Sequence, residues 1–164
     1  MTMPMRLLLA ACLLTLSAPV ALARNLTLQD RLEIADLYNR YNTTIDAGDA
    51  DGWADTFTAD GEFAGQFKGH DALVGFVQMW REKMNGAARR HWSNNLTLTP
   101  TAEGVTASVY LMLVDVGVKP AQIATTGIYA DELVKTPKGW RFKRRAASID
   151  APTAPLPVAP SAVQ

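Results

Sequence analysis

The sequence predicts an α+β domain in which three N-terminal helices cover one face of a curved antiparallel sheet. Up to Met84, apolar residues recur every three or four positions, as they do on one face of a helix. From Arg89 onward the apolar period is close to two, and turn residues divide this half into four β segments. We therefore expect a pocket between the helices and the sheet.

The first helix is predicted to begin after Thr27 and to end at Gly48. Thr27 and Asp30 have the spacing of a capping box, and Gly48 suits the left-handed conformation that closes many helices. Asp46 lies in the last turn, where a carboxylate faces the negative end of the helix dipole at a cost of about 0.3–1 kcal/mol. We therefore expect that Asp46 serves something other than helix stability.

A short second helix is predicted next, with Asp49 or Asp51 as its N-cap and Trp53 and Phe57 on its apolar edge. Asp60-Gly61 is typical of a turn. The elements predicted after that turn are a strand over residues 62–67, an amphipathic helix over 71–84, and strands over 89–99, 105–116, 122–135 and 140–149.

Both ends of the chain are predicted to lie outside the domain, which covers residues 24–150. Residues 1–23 have the pattern of a signal peptide cleaved after Ala23, which predicts a periplasmic or secreted protein. Its apolar run is too short to span a bilayer, and tethering through Cys12 as a lipoprotein is the weaker alternative. Residues 151–164 are rich in proline and alanine and predict a disordered tail.

The charge balance of the chain points to no polyanionic partner. Lys and Arg number 16, as do Asp and Glu, so neither nucleic acid nor an anionic membrane is expected to bind. Cys12 is the only cysteine and would leave with the signal peptide, so we expect no disulfide.

Several strings in the chain are similar to a known family. They are the run of residues 46–61, Asp-Ala-Gly-Asp-Ala-Asp-Gly-Trp-Ala-Asp-Thr-Phe-Thr-Ala-Asp-Gly, together with Arg-His-Trp-Ser-Asn-Asn at 90–95 and Gly-Trp-Arg-Phe at 139–142. With the order of elements, they resemble the SnoaL-like branch of the nuclear transport factor 2-like superfamily. The resemblance implies a conical, barrel-like fold that encloses a pocket. It implies little about the reaction, because the superfamily includes dehydratases, isomerases, cyclases, lyases and non-catalytic binding subunits.

The resemblance also implies three catalytic residues. The scytalone dehydratase, bile acid dehydratase and hexachlorocyclohexane dehydrochlorinase types share an aspartate near the end of the first helix and a histidine on a later strand, which Asp46 and His91 match. In the bile acid dehydratase type a tyrosine precedes the aspartate by five residues, as Tyr41 does here. Scytalone dehydratase has a second histidine deeper in the sheet, whereas His70 here precedes the third helix.

These residue types fit general acid–base catalysis without a cofactor. A carboxylate that accepts a hydrogen bond from one imidazole nitrogen fixes the tautomer and makes the other nitrogen a better base. The resulting hypothesis is a lyase of the dehydratase kind, in which His91 removes a proton and Tyr41 assists the leaving group on a hydrophobic cyclic or aromatic molecule. Isomerisation, retro-aldol-type release of formaldehyde from an aromatic diol, and a non-catalytic ligand-binding or dimerisation module stay as alternatives.

Further residues are expected to contact the substrate. Five residues of an ideal helix rotate by about 140°, so Tyr41 and Asp46 point in different directions. Tyr38 precedes Asp46 by eight residues and is better aligned with it. Arg144 shares strand parity with Trp140 and Phe142 and could bind an anionic group of the substrate or an oxyanion. The alternative, which is more common, is a solvent-exposed arginine at the edge of the sheet. The remaining candidates are chosen by strand spacing, with core packing or solvent exposure as the alternative: Asn95, Tyr110 and Tyr129.

No metal site is predicted. His70 and His91 lack a ligand spacing, and a calcium loop through Asp49 and Asp51 would place Ala47 and Thr58 where carboxylates are needed. The chain also has no glycine-rich phosphate loop and no nucleophile elbow. Residues 109–114 are apolar on both strand faces, which predicts a homodimer or higher homo-oligomer.

Overall fold

The computed structural model describes residues 25–84 and 88–150. The predicted signal peptide with Cys12 and the predicted tail over 151–164 lie outside these ranges. Three helices and six strands follow one another in this order: α1 Leu28–Ala47, α2 Ala50–Ala54, β1 Phe57–Phe63, β2 Phe67–Lys68, α3 His70–Met84, β3 Arg89–Pro100, β4 Val105–Asp115, β5 Gln122–Thr136 and β6 Gly139–Ile149.

The strands form one curved sheet with the order β2-β1-β6-β5-β4-β3, and the helices pack on it. The α+β prediction is confirmed. The sheet is mixed, because β1 and β6 run parallel while the other neighbouring pairs are antiparallel. It stays open instead of closing into a barrel.

Helix α1 begins and ends as its sequence predicts. The amide of Asp30 donates to the Thr27 hydroxyl at 3.0 Å, and the amide of Thr27 donates to the Asp30 carboxylate at 3.1 Å. These reciprocal bonds form a complete capping box. At the other end Gly48 has φ +70°, a conformation that a side chain would strain. Asp49 then caps α2 through the amide of Gly52.

The first strand begins five residues earlier than predicted. Phe57 does not continue α2 but pairs with Phe142 of β6 in parallel register. The Asp60-Gly61 signal marks an irregularity inside β1 rather than a turn, since the register shifts between Phe57 and Glu62. A Cβ on Gly61 would lie 2.9 Å from the carbonyl oxygen of Thr58 and 3.1 Å from that of Phe142, so glycine permits this close backbone approach.

Aromatic side chains fill the space between α1, α2 and the sheet. Neighbouring ring centroids in this cluster lie between 5.0 and 6.5 Å apart, the range in which aromatic pairs favour tilted and edge-to-face packing. Its fully or nearly fully buried members are Tyr38, Tyr41, Trp53, Phe57, Phe63, Tyr129 and Phe142. We call this cluster the aromatic floor of the domain. It fills the space between the helices and the sheet, so an open site has to lie outside it, at the rim.

Candidate active site

Asp46 and His91 meet where the last turn of α1 crosses the start of β3. The Asp46 Oδ1 atom lies 2.7 Å from His91 Nδ1, and the backbone amide of His91 donates to the same carboxylate at 3.0 and 3.2 Å. Both side chains are mostly buried, with 11% of Asp46 and 6% of His91 exposed. The carboxylate therefore fixes both the backbone and the ring of His91, and it does not cap the helix.

This contact determines what the imidazole can do. In the neutral ring Nδ1 carries the proton that is shared with Asp46, so Nε2 holds the lone pair. Nε2 has no hydrogen-bond partner among the described residues and is not fully enclosed. The ring of Trp80 lies 5.6 Å from the imidazole between centroids and shields one side of it. The arrangement is that of an oriented general base.

A crevice of about 240 Å³ reaches the carboxylate at the junction of α1, α3 and β3. Two of its arginines already have partners, because Arg81 donates to the Ala47 carbonyl at 2.9 Å and Arg89 pairs with Asp115 at 2.5 Å. Since Asp46 lines this crevice, the Asp46–His91 pair lies at the rim of the domain rather than in its aromatic floor.

The structure does not bring the predicted tyrosines into hydrogen-bonding contact with this pair. Tyr41 is fully buried, with its ring 5.2 Å from Trp53 and 6.0 Å from Tyr129, and its hydroxyl has no partner among the described residues. Tyr38 instead donates to Asp131 at 2.5 Å. Burial raises the pKa of both phenols, and the charge of Asp131 raises that of Tyr38 further.

A buried ion pair that the sequence analysis missed occupies the floor of the concave face. Arg145 Nε and Nη2 each donate to the Asp131 carboxylate at 2.7 Å, and neither side chain is exposed. Four rings surround the guanidinium, with centroids 4.1–4.8 Å from its central carbon; they belong to Tyr38, Tyr41, Tyr129 and Phe142. Tyr129 does face inward as expected, and burial raises the pKa of its phenol well above the ordinary value.

The expectation that Arg144 points into the pocket is wrong. Its side chain is 55% exposed and lies 3.5 Å from both Glu62 and Glu132. The register between β5 and β6 shifts at this point, because Leu133 pairs with Phe142 and Glu132 with Arg144. The extra residue on β6 reverses the alternation, so Arg145 turns inward. Asp131 could have predicted this ion pair from the sequence, because a carboxylate on the apolar parity of β5 requires a buried cation opposite it.

Asn95 and Tyr110 are also misplaced by the sequence analysis. Asn95 has φ +58° at an irregularity in the β3–β4 pairing between Asn94 and Thr97, which breaks its parity with His91 and leaves it exposed. Tyr110 is 54% exposed, on the sheet face opposite the buried Val109. Neither side chain joins the Asp46–His91 pair.

A family model described as the SnoaL-like domain matches residues 26–146. The chain belongs to the SnoaL-like domain family. Among curated proteins, no significant match is found. The predicted resemblance is therefore confirmed at the level of the family, whereas the reaction of this SnoaL-like domain is not determined by it.

Solved structures resemble this SnoaL-like domain over most of its length. ActVI-ORFA from Streptomyces coelicolor is 23% identical with a TM-score of 0.70, over 78% of this chain and all of that one. An NTF2-like protein with a cystatin-like fold from Novosphingobium aromaticivorans is 25% identical with a TM-score of 0.69, over 77% and 86%. A putative scytalone dehydratase from the same organism is 20% identical with a TM-score of 0.62, over 76% and 86%. Likeness at this level supports the fold.

In the described residues, the SnoaL-like domain has neither a metal cluster nor a membrane-spanning helix, and His70 lies apart from the Asp46–His91 pair. Within residues 25–84 and 88–150, no three His, Cys, Asp or Glu side chains converge as a metal site requires. His70 contacts Asp55 and Asp71 at the start of α3 rather than the Asp46–His91 pair. In the same part of the chain, no helix combines the length and apolar composition needed to cross a membrane.

Proposed function

We propose that this SnoaL-like domain is a cofactor-independent lyase that eliminates water from a hydrophobic cyclic or aromatic molecule. The observation that carries the proposal is the 2.7 Å contact between Asp46 and Nδ1 of His91, which leaves Nε2 as a base at the rim of the concave face. The crevice beside the pair is lined in part by Ile45, Trp80 and Met84, which offer apolar contacts to a hydrophobic substrate.

The proposed reaction has two proton transfers at one residue. Nε2 of His91 removes a proton from an activated carbon, and Asp46 stabilises the imidazolium that forms. The electron pair of the broken C–H bond forms the new double bond as hydroxide departs. The imidazolium then returns the proton to that oxygen, so water leaves and His91 is neutral again.

Tyr41, which the sequence predicted as the donor for the leaving oxygen, has no step in this reaction because its side chain is fully buried. Its raised pKa keeps the phenol protonated, and its hydroxyl has no partner among the described residues. It packs in the aromatic floor and makes no hydrogen bond to Asp46 or His91, so the catalytic role that the sequence predicted for it is not part of this proposal.

The test uses a substrate identified by mass spectrometry of ligands that co-purify with the protein. We expect His91→Ala and Asp46→Asn each to lower kcat by about 10²–10⁴-fold, the usual contribution of a general base, with the fold intact by circular dichroism. His70→Ala is the matched control, since His70 lies at the start of α3 beside two other carboxylates. Full activity of either variant at the pair would refute the proposal.

We also propose that a second copy of the chain covers the outer face of the sheet. Trp92, Tyr110 and Ile128 are 53%, 54% and 41% exposed there, and the strand register places them next to one another through Met112. Contiguous apolar surface of this kind is typical of interfaces between subunits.

A further inference from the structure

A second polar pair links α1 to β3 beside Asp46 and His91. The Asn42 amide nitrogen donates to the Ser93 hydroxyl at 3.2 Å, and the return contact from Ser93 to the Asn42 amide oxygen is longer, at 3.4 Å. Asn42 precedes Asp46 by one helical turn, and Ser93 follows His91 by two residues on the same face of the strand. The two pairs are therefore neighbours along one seam, about 6 Å apart.

Ser93 lies against the buried part of the sheet. In strand register it lies beside the buried Leu111, which is followed by Gly127 and Ile149. Ser93 is therefore half-buried against Leu111, one step along β3 from the proposed base. Apolar surroundings strengthen a hydrogen bond that is made there.

The geometry allows the Ser93 hydroxyl to donate to a ligand. Its proton can leave the long 3.4 Å contact for a shorter one to a substrate oxygen, because Asn42 still holds the Ser93 oxygen through the 3.2 Å bond. Neither side chain has another partner among the described residues. A hydroxyl that accepts one hydrogen bond is also a stronger donor of the next.

We propose that Ser93, held by Asn42, donates a hydrogen bond to a substrate carbonyl oxygen two bonds from the carbon that His91 deprotonates. This rests on the proposed function and narrows its substrates to cyclic or aromatic carbonyl compounds. When Nε2 takes the proton, the C–H electron pair forms a double bond to the carbonyl carbon and the C=O pair moves onto the oxygen as an enolate. The return of that pair then forms the new C=C bond and expels hydroxide, which takes the proton back from the imidazolium and leaves as water. A donor aimed at that oxygen stabilises the enolate more than the ketone.

The first test measures binding with two probes of the same shape. 2-Naphthol resembles the enol of a bicyclic ketone, and naphthalene lacks its oxygen. We expect Ser93→Ala to weaken 2-naphthol about tenfold, the usual effect of one hydrogen bond, and to leave naphthalene unchanged. Asn42→Ala should produce a smaller loss of the same kind, and Ser93→Thr should restore binding. Thr43→Ala is the matched control, because the Thr43 hydroxyl bonds only to carbonyls of its own helix.

The second test measures proton exchange at the activated carbon of 2-tetralone in heavy water by nuclear magnetic resonance. We expect His91→Ala to abolish the enzyme-dependent exchange and Ser93→Ala to slow it about 100-fold. If His91→Ala abolishes exchange while Ser93→Ala leaves both exchange and 2-naphthol affinity unchanged, this inference is wrong and the proposed base stands. If exchange survives His91→Ala, the proposed function itself fails. Equal losses for both naphthalene probes would show that Ser93 only shapes the fold.

Discussion

Replacing Asp131 by asparagine tests whether the domain depends on its buried ion pair. The substitution keeps the shape of the side chain but leaves the Arg145 charge uncompensated in a site where neither residue is exposed. Breaking a buried pair in this way costs about 3–5 kcal/mol, because the remaining ion is still desolvated. For a domain of this size that corresponds to a fall in melting temperature of about 12–20 °C.

The matched control is the next residue along the same strand. Glu132 pairs with Arg144 on the outer face at 3.5 Å, and both side chains are about half exposed. An exposed pair of this kind contributes about 0–1 kcal/mol, so Glu132→Gln should change stability little. The difference between the two variants measures the effect of burial on the ion pair, since the two carboxylates are neighbours in sequence and in strand register.

The assay is urea unfolding followed by circular dichroism, with the m-value checked for a constant unfolded state. The double variant Asp131→Leu with Arg145→Met should recover most of the lost stability, because an apolar pair needs no compensation. A loss below about 1 kcal/mol for Asp131→Asn would refute the reasoning, as would equal losses for Asp131→Asn and Glu132→Gln.

Three further predictions concern the cap of α1, the buried phenols and the outer face. Hydrogen bonds from Lys135 and then Thr27 hold the pKa of Asp30 well below its ordinary value of 3.8, so its stabilisation is present above about pH 4 and is lost as pH falls further. Asp30→Asn should therefore cost about 0.5–1 kcal/mol at pH 7 in a denaturation assay, as expected for an ion pair screened by solvent, and the difference from the wild type should shrink in acid; a constant difference would contradict it. Raised phenol pKa values in the folded state mean that stability is full below about pH 10 and falls as pH rises beyond it. Absorbance titration at 295 nm should show three phenols ionising only with unfolding, and early ionisation would count against their burial; these are Tyr38, Tyr41 and Tyr129. Tyr110→Arg should convert a dimer to a monomer by light scattering with its secondary structure unchanged, whereas a monomeric wild type would exclude the proposed interface.

Local sequence signals predicted those elements whose ends depend on a few neighbouring residues. Thr27, Asp30 and Gly48 define α1 through hydrogen bonds and a backbone conformation that are set within one turn. Phe57 was misassigned because its helical spacing from Trp53 competes with a parallel pairing to β6, more than 80 residues later in the chain. Tertiary pairing of this range leaves no local pattern.

Strand parity failed at Arg144 and Asn95 for one physical reason. Alternation predicts a face only while the pairing register is regular, and each of these positions lies at a register shift. The Asp46–His91 contact could be anticipated from the family resemblance and from the unfavourable dipole position of Asp46. Nothing in composition or periodicity indicates that Asn42 and Ser93 also meet, because their contact depends on how α1 crosses β3.

Helix α1 connects the aromatic floor to the polar rim, because its two faces carry different residues. Tyr38, Tyr41 and Ile45 point into the core, whereas Asn42 and Asp46 face β3. The buried ion pair fixes the first face through the hydrogen bond from Tyr38 to Asp131. Since a helix turns as a rigid unit, that bond also sets the direction in which Asp46 meets the imidazole. A ligand that displaced the aromatic floor would move α1, and with it Asp46, relative to His91, so we expect the proposed substrate to be small enough to react at the rim.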